Sequence, residues 1–139
     1  MKVLLIEDSR FLRLAIGRML SKAGHNVTSV GDGREGLEKA QQSHPDVVVL
    51  DMMLPTLEGT SVLRMLKKNP LTQDIPVIVL SGLSGKNAPR LKIDGAAAFL
   101  EKSGLDLNGD GSLLLAAIDA LSSDSSDIIS SDALASAAE

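Results

Sequence analysis

The chain has 139 residues, 44% hydrophobic and 23% charged, with a formal net charge of −4. That length suits one domain, the acidic balance argues against a nucleic-acid partner, and the lack of cysteine excludes disulfides and thiolate metal sites. With two Phe and neither Trp nor Tyr the core must be aliphatic, and no apolar run reaches the ~20 residues that span a bilayer, so a soluble, cytoplasmic protein without membrane contact is expected.

Lys2 to Ile6 is a buried-strand pattern that ends in acid, at Glu7 and Asp8. Asp8 or Ser9 can cap the helix that follows, in which Leu12, Ile16, Met19 and Ala23 recur at helical spacing. Arg13, Arg18 and Lys22 fall on its other faces, and Gly24 is placed to stop it. Val27 to Val30 is a short, more polar strand suited to a sheet edge. Asp32-Gly33 then turns the chain into a weak helix carrying Leu37 and Ala40.

Val47 to Leu50 is a β-branched run too short for an ordinary helix, so it reads as a strand buried on both faces. It stops at Asp51, and a turn-forming Pro55 follows. Gly59 to Lys68 predicts a helix with Val62, Met65 and Leu66 inward, ended by Asn69-Pro70. Val77 to Leu80 is another apolar run, bounded by Pro76 and Ser81-Gly82. Ser84 to Asp94 contains Pro89 and predicts a short or irregular helix. Ala97 to Leu100 is a fifth strand running into Glu101-Lys102, and Leu113, Leu114, Ala117, Ile118 and Leu121 mark a final amphipathic helix. From Ser122 the composition shifts to Ser, Asp and Ala. The domain is therefore assigned to residues 1–121, and 122–139 to a flexible tail or linker stump in which Ile128, Ile129 and Leu134 leave room for a short helix.

Strands alternating with helices imply an α/β fold, a doubly wound five-stranded parallel sheet with helices on both faces. All carboxyl ends of such a sheet lie on one edge, where ligands gather. Glu7, Asp8, Asp51, Ser81 and Lys102 should therefore meet, although they are far apart in sequence. Three converging carboxylates repel unless a cation joins them, and Mg2+ is the natural hard, oxygen-seeking occupant. A lysine and a hydroxyl beyond Asp51 would then face a second negative charge, such as a phosphoryl group.

With these residues in place the chain resembles the receiver domain of two-component response regulators, over about Lys2 to Leu121. The resemblance is carried by the acidic pair, Asp-x-x-x-Pro-x-x-x-Gly from Asp51 through Pro55 to Gly59, Ser81, Gly95-Ala96 and Lys102. It implies the flavodoxin-like strand order 2-1-3-4-5. It further implies that Asp51 is the phosphoacceptor, and that Asp8, Asp51 and the Met53 backbone carbonyl bind Mg2+ directly, with Glu7 acting through a water. Ser81 and Lys102 would contact the phosphoryl oxygens, and Phe99 would be the switch aromatic that swings inward when the Ser81 hydroxyl moves. The implied donor is a sensor histidine kinase or phosphotransfer protein. The implied output is contact with a downstream protein or a phosphorylation-dependent homodimer. On this reading the chain is a stand-alone module and not an enzyme, beyond weak self-phosphorylation from small donors and self-dephosphorylation.

The sequence departs from the family in places. Ser103 stands where Pro usually follows the lysine, so a trans Lys102–Ser103 bond is expected, a non-proline cis bond costing about 3 kcal/mol. Phe99 lacks the hydroxyl of the commoner Tyr, and apolar Met53 and Leu83 predict slow self-dephosphorylation. One rival is a pseudo-receiver that keeps the fold without being phosphorylated. Another is a haloacid-dehalogenase-type phosphatase, which needs an acid where Met53 stands. Asp106 to Gly111 imitates the start of a calcium loop, but its twelfth position is Ala117 where a bidentate Glu is required, so a turn and helix cap is the better reading.

Overall fold

The computed structural model of the chain describes residues 1–52, 58–81, 95–102 and 113–121. Strands β1 (Lys2–Ile6), β2 (Asn26–Val30), β3 (Val47–Asp51), β4 (Val77–Ser81) and β5 (Ala98–Glu101) form one parallel sheet in the order β2-β1-β3-β4-β5. Helices α1 (Arg10–Lys22), α2 (Gly33–Ser43) and α3 (Gly59–Lys68), with a further helix over 113–121, cover it. This is the doubly wound arrangement that the strand–helix alternation predicts.

Side chains alternate across a strand, and here each parity has its own core. Leu4, Ile6, Val48, Leu50, Val77 and Val79 pack on one face against Ala40 of α2 and Val62, Leu63 and Leu66 of α3. Val3, Leu5, Val47, Val49, Ile78 and Leu80 pack on the other against Ile16, Met19 and Leu20 of α1 and Leu114 and Ile118 of the last helix. A strand covered on both sides has no polar face, which is why β3 and β4 read as unbroken apolar runs. β2 lies at the edge, with three of its five residues exposed, and keeps the polar residues that its place allows.

The helix ends follow their capping residues. Ser9 rather than Asp8 caps α1, its hydroxyl accepting from the Leu12 amide at 3.3 Å. Asp32 caps α2, accepting from the Glu35 amide at 2.9 Å. At the end of α1 the Gly24 amide donates to Ser21 O and the His25 amide to Leu20 O, with Gly24 at φ +94°. That paired closure needs a left-handed residue, which Gly supplies without strain.

Two helix faces differ from expectation. In α3 the buried residues are Gly59, Val62, Leu63 and Leu66, while Met65 is exposed. Gly59 lies against the backbone of Asp51 and Met52, and this contact turns the positions three, four and seven residues later inward. In α1 Leu20 is buried, and Ala23 is an exposed cap residue.

Several expectations fall outside the described residues: the Pro55 turn, the Ser84–Asp94 helix, the Lys102–Ser103 bond, the Asp106–Gly111 turn and the tail from Ser122. No helix among the described residues is long and apolar enough to cross a membrane.

Candidate functional site

Asp51 is the last residue of β3 and pairs in register with Leu80 of β4. The Met52 amide donates to Leu80 O at 3.0 Å, so the ladder continues past Asp51 and holds its backbone rigid. α3 then starts against this corner, the Gly59 amide donating to Met52 O at 3.1 Å. A Cβ on Gly59 would lie 2.5 Å from Asp51 O and 2.6 Å from the Met52 Cα, so only glycine fits without displacing the backbone of the acid.

Next to it, β1 delivers Glu7 and Asp8. The Glu7 amide donates to Val30 O at 3.1 Å, which extends the β1–β2 ladder by one residue. Glu7 and Asp51 are fully buried, whereas Asp8 is exposed. The Ser9 amide, at the mouth of α1, donates to Glu7 Oε2 at 3.1 Å. One oxygen from each of Glu7, Asp8 and Asp51 lies within 4.8 Å of the others.

Lys102, immediately after β5, closes the group. Its Nζ is 3.0 Å from Asp51 Oδ1 and 3.1 Å from Glu7 Oε1, with the lysine side chain 21% exposed. Burial works against the ammonium, but its bonds to Asp51 and Glu7 outweigh that and hold it above the ordinary lysine value. Glu7 goes the other way. Burial pushes its carboxyl up to about 7, reinforced by the charge of Asp51 and only partly offset by the Ser9 amide and Lys102.

The strand ends thus bring Glu7, Asp8, Asp51 and Lys102 together. Ser81, nearly buried, ends β4 one residue beyond the register partner of Asp51. Phe99 pairs with Val79, two residues before Ser81 on the adjacent strand, and is half-buried against the α2–α3 core. Met53 and Leu83 lie outside the described residues.

Two features were not anticipated. Lys102 bridges Glu7 as well as Asp51, which depends on how the chain leaves β5. Arg13, expected simply on an outer face of α1, donates from Nη1 to Glu7 O at 2.9 Å and Asp8 O at 3.3 Å. Its spacing of six and five residues from those acids was the available signal.

Chemically the cluster is an all-oxygen donor set with too little positive charge. Lys102 pairs with two of the three carboxylates, Glu7 and Asp51, and those two have no contact with water. Such a set fits a hard divalent cation such as Mg2+, which takes a few carboxylates and completes its shell with water or phosphate oxygens.

Comparison with known proteins gives a consistent result. A family model described as "Response regulator receiver domain" matches residues 3–108. A gliding motility regulatory protein of Myxococcus xanthus is 37% identical over 122 residues, covering 87% of this chain and 15% of that protein. A protein-glutamate methylesterase/protein-glutamine glutaminase of Archaeoglobus fulgidus is 37% identical over 107 residues, covering 73% of this chain and 30% of its own. The chain therefore spans less than a third of the length of these two relatives. Protein PilG of Pseudomonas aeruginosa is 32% identical over 103 residues, covering 73% of this chain and 76% of that protein. Among solved structures, the chemotaxis protein CheY4 of Vibrio cholerae superposes with a TM-score of 0.77 at 26% identity, over 86% of this chain and 97% of that one.

Proposed function

This chain belongs to the response regulator receiver family, a family of signalling domains, and on that footing we propose that it accepts a phosphoryl group on Asp51 from a phosphohistidine donor. The observation that carries this reading is a buried Asp51 carboxylate with Lys102 Nζ at 3.0 Å and a carboxylate oxygen from each of Glu7 and Asp8 within 4.8 Å. A carboxylate oxygen of Asp51 forms the new P–O bond as the donor's P–N bond breaks, and the imidazole leaves with the electron pair. Burial of Asp51 strips water from the nucleophile, and the β3–β4 ladder fixes its direction. Lys102 already faces Asp51 and offsets charge on the transferring group. The Ser81 hydroxyl at the neighbouring strand end supplies a donor to the phosphoryl oxygens.

Mg2+ would be held by Asp8 and Asp51, with the Met53 carbonyl, and by Glu7 through a water. When bound it supplies charge neutralisation at the attacking carboxylate and the phosphoryl oxygens. The donor is a sensor histidine kinase or phosphotransfer protein, and the compartment is the cytoplasm. The output is altered protein contact: Ser81 turns toward the phosphoryl group and half-buried Phe99 moves inward, changing the surface around β4, β5 and the last helix.

The test is incubation with a small phosphoramidate donor and Mg2+, followed by intact mass. A single phosphoryl adduct that needs the metal and is lost in Asp51→Asn is expected. No adduct on the wild-type chain, or one that persists in Asp51→Asn, would overturn the reading.

A further inference from the structure

Arg13 lies one turn into α1, half-buried where the neighbouring Arg10 and Arg18 are exposed. Its Nη1 spans two successive carbonyls, those of Glu7 at 2.9 Å and Asp8 at 3.3 Å. Gly31, just past β2, lies against the same guanidinium, an added Cβ there coming 3.2 Å from Nη1. The guanidinium therefore occupies a slot between the acidic turn and the end of β2, and Gly31 leaves that slot open. The turn is held at its entry by the Glu7 amide on Val30 O and at its exit by the Ser9 amide on Glu7 Oε2. Arg13 holds it between these two points.

We propose that Arg13 is a positioning residue for the acidic turn: by holding the Glu7 and Asp8 carbonyls it fixes both carboxylates toward Asp51, and so sets the cluster's affinity for a divalent cation. Two carbonyls converging on one nitrogen fix both peptide planes, and with them the directions of the two side chains. The positive charge is bonded to the main chain rather than between the acids, so it need not be displaced by a metal. Lys102, paired with Glu7 and Asp51 directly, differs in this respect. The inference rests on the metal-dependent reading given above.

Its test compares wild type, Arg13→Ala, Arg13→Lys and Gly31→Val. Mg2+ binding to the metal-free protein is measured by calorimetry, and exchange of the Ser9 amide by NMR. Arg13→Ala is expected to weaken Mg2+ binding about tenfold, the usual effect of removing a group that orients metal ligands, and to speed Ser9 exchange. Arg13→Lys should recover part of both. Gly31→Val keeps the guanidinium but crowds its slot, and should shift both readouts the same way. Mg2+ affinity within about twofold of wild type in Arg13→Ala, with only thermal stability lowered, would overturn the proposal. Should Arg13→Ala fail to fold, Gly31→Val decides by the same criterion. If wild type itself binds no Mg2+, the metal-dependent reading falls, and Ser9 exchange alone decides whether Arg13 holds the turn.

Discussion

Replacing Glu7 by Gln should stabilise the metal-free protein at neutral and alkaline pH. The Glu7 carboxyl is raised from 4.5 to about 7, chiefly by burial and then by Asp51. The folded protein therefore holds this proton more tightly than the unfolded chain does. The stability it contributes is complete below pH 4.5 and is lost as pH rises through about 7. A shift of that size is worth about 3 kcal/mol. The amide of Gln cannot accept from both Lys102 and Ser9, which costs about 1 kcal/mol. A net gain of about 2 kcal/mol, roughly 4–8 °C in Tm, is expected for Glu7→Gln at pH 8 in chelator, with no gain at pH 4. Without Trp or Tyr, urea unfolding is best followed by far-UV circular dichroism. Millimolar Mg2+ should reverse the order, because the cation favours the ionised acid that Gln lacks. Loss of stability in metal-free Glu7→Gln at pH 8, or a wild-type profile that matches the variant from pH 4 to 8, would refute the reasoning.

Lys102→Met leaves two buried carboxylates facing each other. It should cost about 3 kcal/mol in chelator at pH 7 by urea unfolding and abolish the phosphoryl adduct seen by intact mass. Gly59→Ala drives a methyl into the Asp51–Met52 backbone, and should cost about 2 kcal/mol while slowing phosphorylation from a small donor under saturating Mg2+. Ser9→Ala removes the α1 cap but keeps the Ser9 amide on Glu7, so about 1 kcal/mol of stability should go while Mg2+ affinity by calorimetry stays the same.

The sheet was readable because burial on both faces leaves runs such as Val47–Leu50 with only one sensible conformation. The convergence of Glu7, Asp8, Asp51 and Lys102 was readable because a parallel sheet puts every strand's carboxyl end on one edge. Helix faces were less so. Val62 fits a face with Met65 and Leu66 as well as one with Leu63 and Leu66, and the choice is made by the contact of Gly59 with another strand's backbone. Side chains that bond the main chain escaped notice for a related reason. Nothing in the identity of Arg13 says that its guanidinium turns back onto the carbonyls of the acidic turn.

The sheet is unevenly covered. β3 and β4 are buried throughout, while Ala98, Phe99 and Leu100 of β5 are only half so and Glu101 is exposed. Tightly packed atoms have nowhere to yield, so a phosphoryl group placed on Asp51 as proposed would find no slack beneath it. The displacement expected from phosphorylation would pass sideways, toward the half-buried β5. On the proposed function, a signal written at a closely packed point of the molecule would be legible along a half-exposed edge strand, where another protein can touch it.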